Sequence, residues 1–199
     1  MRSKSVFAAL LVLAASPIGT LAQTPDTAAV TENVPADTSP SERIDALFDE
    51  LKHEGNQEKA KAISDSIRLE WRDSGSATVN LLMQQADKAM AEGKDTAAFD
   101  YLDEVIQLAP TYVEGWNQRA TLHFKAGNYR KSMSDINHVL ALEPRHFGAI
   151  AGMATILTSY GRDELAMDAW QRFLDIYPAE RRAQKSLGDL ADKLAGSRT

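Results

Sequence analysis

The sequence predicts an all-α fold, a solenoid of helix–turn–helix repeats with three clear units and capping helices at its ends. Three prolines and three glycines each recur at a spacing of 34 residues: Pro110, Pro144 and Pro178, and Gly93, Gly127 and Gly161. Proline stops a helix and glycine permits the positive φ of a tight turn, so each period holds two helices and two turns. A unit of this length cannot bury its apolar face alone and must stack on its neighbours.

Residues 1–22 have the three parts of a secretory signal peptide. Arg2 and Lys4 give a positive start, an apolar run follows, and Ala22 closes a small-residue cleavage site. We therefore expect a soluble, exported protein of the bacterial periplasm. An inner-membrane anchor formed by an uncleaved signal is the alternative, although the apolar run is shorter than the roughly 20 residues that span a bilayer.

Residues 23–40 are expected to form a disordered linker, because they contain three prolines and no aromatic residue. The formal net charge of the chain is −6, and it falls to −8 without Arg2 and Lys4. Nucleic acids and anionic lipids need a basic footprint, so neither is an expected partner. No later apolar run reaches membrane length, so no stable membrane insertion is expected. The chain has no cysteine, which excludes disulfides and lipid attachment through a thiol.

Residues 41–76 are predicted to form an N-terminal helical hairpin, with Ser41 as the N-cap of its first helix. Both helices carry an apolar stripe at helical spacing: Ile44, Leu47, Phe48 and Leu51 in the first, and Ala60, Ile63, Ile67 and Trp71 in the second. The hairpin is either a degenerate repeat or a cap over an apolar end of the solenoid. We favour the cap, because terminal repeats are usually atypical and no proline closes this unit.

The three clear repeats are residues 79–112, 113–146 and 147–180. The second contains eight residues at signature positions: Trp116, Ala120, Gly127, Tyr129, Ser132, Ile136, Val139 and Pro144. The other two repeats match at most of these positions, and the pattern resembles the tetratricopeptide repeat family. The resemblance implies a right-handed α-solenoid with a concave face lined by the first helix of each repeat, and a role in binding proteins or peptides. Residues 181–199 are then expected to hold a C-terminal capping helix with a polar outer face.

The resemblance also indicates which residues would line the concave, partner-binding groove. They are Asn80, Met83, Asp87, Met90, Asn117, Thr121, Phe124, Ala151, Thr155 and Thr158. Met83, Met90 and Phe124 are its expected apolar anchors, since methionine suits an adaptable peptide surface. Alternatively, these three side chains pack under the caps and contact no partner.

Some members of the family hold a peptide C-terminal carboxylate with a clamp of basic and amide side chains. The matching positions here are Met83, Asp87, Gln118, Gly148 and Gly152. Most of them lack a donor and Asp87 would repel a carboxylate, which argues against this mode. Another charged pair, Arg119 and Asp135, could contact a ligand or join two helices of one repeat. We favour the ion pair, because an unpaired charge beside a packed face is costly.

No catalytic or metal-binding motif is visible in the sequence. The four histidines, His53, His123, His138 and His146, lack metal-ligand spacing, and His146 is interpreted as a turn residue. We therefore expect no cofactor and no enzymatic activity, but a protein-interaction scaffold of the cell envelope that captures a peptide or helix. The alternatives are a self-associating protein, such as a homodimer, and an envelope enzyme that uses its repeats as a substrate platform.

Overall fold

The computed structural model describes residues 39–196. The expected signal peptide, nearly all of the expected linker and residues 197–199 lie outside this range. Within it the chain forms nine α-helices and no strand, which confirms the all-α prediction. The helices are α1 (Pro40–His53), α2 (Gln57–Arg72), α3 (Ala77–Ala91), α4 (Asp95–Leu108), α5 (Val113–Lys125), α6 (Tyr129–Leu142), α7 (Phe147–Ser159), α8 (Asp163–Ile176) and α9 (Arg181–Gly196).

Three antiparallel helix pairs, α3–α4, α5–α6 and α7–α8, form the repeats, and in each pair the first helix is called helix A and the second helix B. The turns between them use the predicted glycines: φ is 70° at Gly93, 72° at Gly127 and 66° at Gly161. Each helix B ends two residues before its proline, at Leu108, Leu142 and Ile176. The repeated glycines and prolines therefore form the turns and end the helices as predicted.

Small side chains lie where helix A meets helix B in every repeat. Ala86 and Ala98 are fully buried in the first repeat, and Ala120 and Ser132 are 2% and 1% exposed in the second. The Ser132 hydroxyl donates a hydrogen bond of 2.8 Å to the carbonyl oxygen of Ala120. A polar residue is thus tolerated at this close contact because its one donor is satisfied.

Helix α1 begins earlier than the sequence interpretation placed it. Its N-cap is Ser39 and not Ser41, with Pro40 as the first helical residue. The Ser39 hydroxyl accepts a hydrogen bond from the Glu42 amide at 3.3 Å, and the Glu42 carboxylate accepts one from the Ser39 amide at 2.8 Å. This reciprocal capping box, together with the preset φ of proline, outweighs a cap at Ser41. The Ser39 amide and the Ser39 hydroxyl, the latter at 2.8 Å, both donate to the Glu42 carboxylate and lower the pKa of Glu42.

The α1–α2 hairpin packs against the third repeat. Phe48, Leu51, Ile67 and Trp71 share one buried cluster with residues of α7 and α8, including Phe147. The cluster of the first repeat, built around Val79, Met83, Ala86 and Leu102, draws its buried described residues from α3, α4 and α5. The buried core of the hairpin is therefore shared with the third repeat and not with the first.

Helix α9 follows the third repeat and packs on α8. Ala183 and Leu190 are its buried residues, and Lys193 forms an ion pair with Asp163 at 2.7 Å. Most of its other side chains are exposed, as the prediction of a capping helix requires. No helix in the described part of the chain is both long and apolar enough to cross a membrane.

Candidate functional site

One cleft between α5 and α7 gathers half of the residues predicted to line the groove. Asn117, Thr121 and Phe124 come from α5, and Ala151 and Thr155 come from α7. The cleft has a volume of about 220 Å³. Its remaining lining residues are small or apolar: Ala120, Ser132, Ile136, Gly148, Ala149 and Gly152. We call this the α5–α7 cleft.

The threonines at the rim of the α5–α7 cleft use their hydroxyl donors within their own helices. Thr121 donates to the carbonyl oxygen of Asn117 at 3.0 Å, and Thr155 donates to that of Ala151 at 2.8 Å. The Asn117 amide donates to the Glu114 carboxylate at 3.0 Å. The rim thus presents methyl groups and acceptor oxygens to a ligand, and few hydrogen-bond donors that lack a partner within the chain.

The floor of the cleft depends on a glycine. A Cβ atom added at Gly152 would lie 3.2 Å from Cδ1 of Ile136, which is closer than most contacts of real Cβ atoms. Glycine at this position therefore leaves space that any larger side chain would fill. Phe124 is half-buried beside this floor, with its ring centroid 5.3 Å from that of Tyr129. It is the one of the three expected apolar anchors that lies in the cleft.

The predicted groove residues of the first repeat lie outside the α5–α7 cleft. Met83 is 6% exposed and belongs to the core of the first repeat, and Met90 is half-buried against the same core. Both side chains thus contribute to the core of the first repeat, and neither lines the α5–α7 cleft. The physical reason is that both extend the apolar stripe of α3 toward α4 and α5.

Asn80 and Asp87 are engaged by the end of α2 and the segment that follows it. The Asn80 amide donates to the Asp73 carboxylate at 3.0 Å. Arg72 forms an ion pair with Asp87 at 2.6 Å. Both predicted groove residues thus have partners within the chain, and neither lines the α5–α7 cleft.

The last predicted residue, Thr158, lies in a neighbouring hollow between α7 and α9. This hollow has a volume of about 340 Å³ and also includes Thr155, Trp170, Leu190 and Lys193. Thr155 lines both the hollow and the α5–α7 cleft, so the two adjoin at this residue.

His146 is more than the turn residue that the sequence suggested. It is 1% exposed and caps α7, where its Nδ1 accepts a hydrogen bond from the Ala149 amide at 3.0 Å. Its Nε2 lies 3.4 Å from Oε2 of Glu114. Since Nδ1 accepts, Nε2 carries the proton and donates to the carboxylate. The indole of Trp71 stacks on the imidazole at a centroid distance of 4.1 Å.

Arg119 and Asp135 form the ion pair that the sequence analysis favoured. Nε and Nη2 of Arg119 donate to the two carboxylate oxygens of Asp135 at 2.9 and 2.8 Å. Nη1 donates to Asp103 of α4 at 2.7 Å. The hydrogen bonds that Arg119 donates to Asp135, more than the one that it donates to Asp103, raise the pKa of Arg119 above its ordinary value. These three charges join α4, α5 and α6.

Sequence reasoning missed the residues through which the hairpin reaches the repeats. They are Arg68, Trp71 and Arg72 of α2, and Arg145 and His146 before α7. Trp71 carried a usable signal, since it ends the apolar stripe of α2, but no spacing pointed to its partner. The described residues contain no group of three or more His, Cys, Asp or Glu side chains that could hold a metal ion.

Comparison with known proteins identifies the family. A TPR repeat-containing protein of Rhizobium etli is 60% identical to this chain over 170 residues, which are 85% of this chain and 83% of that protein. The chain belongs to the tetratricopeptide repeat family. No family model matches its sequence.

Solved tetratricopeptide structures have the same fold. The first TPR of Spaghetti, bound to the HSP90 peptide SRMEEVD, superimposes with a TM-score of 0.57 at 22% identity and covers 60% of this chain and 95% of that one. The Sgt2 TPR domain from Aspergillus fumigatus gives a TM-score of 0.56 at 15% identity, covering 62% of this chain and 83% of that one. At these identities the similarity is one of fold.

Proposed function

We propose that this protein is a protein-interaction module of the bacterial cell envelope, and that it captures a peptide or a helix in the α5–α7 cleft. Proteins of the tetratricopeptide family generally mediate protein–protein interactions and bind peptides. The single observation that carries the proposal is the cleft itself, because five residues predicted from the family register line one recess. A scaffold without catalytic activity is the role that fits this arrangement.

The size of the cleft favours a side chain of a peptide over a free small molecule. Pockets for small molecules usually enclose about 300–1,000 Å³, whereas this cleft measures about 220 Å³. Phe124, Ile136 and Ala151 supply apolar contact. The proposed ligand is therefore a peptide or helix that inserts one apolar side chain between α5 and α7.

The residues at the clamp positions, together with Glu114, disfavour the mode of binding an acidic peptide carboxylate that such a clamp provides. Asp87 occupies one of the clamp positions and is paired with Arg72. Two further clamp positions are Gly148 and Gly152, which have no side-chain donor. Glu114 is the charged neighbour of Asn117. The proposed peptide is therefore neutral or basic around its apolar anchor.

The envelope location rests on residues 1–22, whose pattern matches a secretory signal. Cleavage after Ala22 would release a soluble periplasmic protein, and retention of the signal would leave it anchored in the inner membrane. Either form places the repeats outside the cytoplasm, where envelope proteins are the available partners.

The proposal is tested by photocrosslinking in cells from position 124, after replacement of Phe124 with a photoreactive phenylalanine. The control carries the same group in place of Asn137, an exposed residue of α6 outside the lining of the cleft. We expect a discrete adduct with another protein from position 124 and none from position 137. Identification of that adduct by mass spectrometry would give the partner.

Two results would contradict the proposal. Equal adducts from both positions would mean that the cleft has no special role in capture. An adduct with a second copy of this chain alone would favour self-association, and sedimentation of the purified protein would then test for a dimer.

A further inference from the structure

The α1–α2 hairpin binds the third repeat much as a separate ligand would. Phe48, Leu51 and Ile67 are almost fully buried in a cluster that includes Phe147 and Phe173 of the third repeat. These contacts join segments about a hundred residues apart in sequence, while α3, the next helix along the chain, has its core elsewhere. The hairpin is thus an amphipathic element held by a distant surface.

Aromatic stacking fixes the end of α2 on this surface. The ring centroid of Trp71 lies 4.1 Å from that of His146 and 5.1 Å from that of Phe147. The guanidinium of Arg68 lies 4.7 Å from the centroid of the Phe147 ring. Trp71 therefore covers the start of α7, from which the α5–α7 cleft is built.

Two ion pairs and one hydrogen bond hold the hairpin at different points of the array. Asp45 of α1 pairs with Arg145 at 2.7 Å, and the Arg145 guanidinium also lies 4.2 Å from the centroid of the Phe48 ring. Arg72 at the end of α2 pairs with Asp87 of the first repeat at 2.6 Å. Tyr112 adds a hydrogen bond of 2.9 Å from its hydroxyl to the carbonyl oxygen of Arg72.

The hairpin also borders the proposed binding site directly. A hollow of about 640 Å³ lies between α2 and the third repeat, and it is lined by Ser64 and Arg68 together with Gly148 and Ala151. Gly148 and Ala151 line the α5–α7 cleft as well. A partner helix lying along α7 from the cleft would therefore meet α2.

We infer that the α1–α2 hairpin is an intramolecular occupant of the partner-binding face, and that it competes with an amphipathic partner helix for that face. The occupant is residues 39–76 of the chain itself, held by an apolar stripe and by its Asp45 and Arg72 ion pairs. Its chemistry describes the competitor: a helix with isoleucine and tryptophan on one side and basic residues at its edge. This inference rests on the proposed function only for the position of the partner in the cleft.

The test uses the purified full chain and a fluorescently labelled synthetic peptide of residues 39–76. The variant Asp45→Lys/Arg72→Glu opposes Arg145 with a lysine and Asp87 with a glutamate, and leaves the net charge unchanged. The matched control Asp49→Lys/Lys59→Glu makes the same exchange at exposed positions of the same two helices. Fluorescence anisotropy gives the Kd of the peptide for each protein.

We expect the peptide to bind Asp45→Lys/Arg72→Glu about tenfold more tightly than the wild type or the control, because the variant has its surface free in a larger fraction of molecules. Hydrogen exchange on the same samples should show faster exchange in α1 and α2 of this variant alone. Exchange in α5 and α6 should stay protected, which reports that the repeats remain folded. If α5 and α6 also lose protection, the double variant has unfolded the repeats. The single variant Asp45→Lys is then tested by the same two measurements, peptide affinity and hydrogen exchange.

Two outcomes would overturn the inference. In one, the hairpin amides of the variant exchange freely and the peptide still binds no more tightly than it binds the wild type. In the other, neither exchange nor binding changes when both ion pairs are reversed. The crosslinking result from position 124 is independent of both outcomes, so the proposed function can fail while the hairpin inference stands, and the reverse also holds.

Discussion

At the scale of single residues, the ion pair of Arg119 and Asp135 stabilises the fold of the second repeat. The Asp135 side chain is 6% exposed and its two oxygens accept both hydrogen bonds from Arg119. A carboxylate so far from water is tolerated only while it is paired. The pair is therefore a structural element in which each partner requires the other.

Replacement of Arg119 by methionine tests this dependence. Because Arg119→Met leaves Asp135 charged, buried and unpaired, we expect the free energy of unfolding to fall by about 3 kcal/mol or more. The double variant Arg119→Met/Asp135→Leu should recover most of that loss, since it removes both charges. Urea unfolding followed by circular dichroism measures the change, with Arg130→Met at an exposed site of α6 as the control. A single variant as stable as the wild type would refute the structural role.

His123 predicts a pH dependence of stability. Burial lowers the pKa of His123 below its ordinary value of 6.5, and its Nδ1 is buried without a hydrogen-bond partner. As the pH falls below about 6.5, the unfolded chain takes up a proton that the folded chain resists, so stability decreases. The stability that the neutral His123 contributes is fully present above that pH.

The measurement compares His123→Phe with the wild type between pH 7.5 and 5 by urea unfolding. We expect the wild type to lose more unfolding free energy than His123→Phe over this range, because phenylalanine keeps the ring contact with Phe99 and cannot be protonated. His53→Gln, at a side chain that is 72% exposed, should follow the wild type. Parallel curves for His123→Phe and the wild type would contradict the assignment.

At the scale of helices and turns, the repeated glycines have a role that a helical glycine such as Gly188 lacks. Gly127 has a φ of 72°, which other residues adopt at a cost of about 1–2 kcal/mol. No heavy atom would lie within 4 Å of a Cβ added there or at Gly188, so the backbone alone decides the effect. Gly188 lies inside α9, where glycine weakens a helix.

The two positions should therefore respond in opposite directions to alanine. Gly127→Ala should lower the free energy of unfolding by about 1 kcal/mol, and Gly188→Ala should raise it by about 0.5–1 kcal/mol. Thermal and urea unfolding of the two variants give the sign and size. Destabilisation by both, or by neither, would mean that the left-handed turn is not what selects Gly127.

The three helix pairs could be predicted from the sequence, but the position of the α1–α2 hairpin could not. The spacing of Pro110, Pro144 and Pro178 is sufficient for the three helix pairs, because each signal acts within its own repeat. The position of the hairpin has no such signal. The stripe that ends at Trp71 indicates an apolar face, but its partners His146 and Phe147 are fixed only by the tertiary packing.

In the candidate site, too, the sequence could predict some residues and not the contacts of others. Thr121, Phe124 and Thr155 could be found from the family register, since helix A residues at helical spacing share a face. The same register predicts Asn80 and Asp87 as groove residues, but it gives no sign that Asp73 and Arg72 contact them. The register describes a repeat and contains no information on the segment that precedes it.

At the scale of the whole molecule, the export prediction is independent of the described structure. Residues 1–22 should be absent from the mature protein, which would begin at Gln23. Intact mass and N-terminal sequencing of the protein isolated from its native cells measure this directly. A chain that begins at Met1 and sediments with the inner membrane would favour the anchored alternative.

The α5–α7 cleft and the α1–α2 hairpin share one surface of the third repeat. Gly148 and Ala151 contribute to both the α5–α7 cleft and the hollow beside α2, so occupation of one affects access to the other. A small, uncharged recess beside a detachable helix pair suits a partner that binds through one apolar anchor and extends along α7.

The most direct test of this account is to fill the cleft and repeat the crosslinking from position 124. Thr155 is exposed at the rim, so Thr155→Trp should occupy the recess without disturbing the core. Asn137→Trp, outside the cleft, is the control. The account predicts that the partner adduct disappears with Thr155→Trp and persists with Asn137→Trp. An adduct of unchanged yield in the Thr155→Trp protein would contradict it.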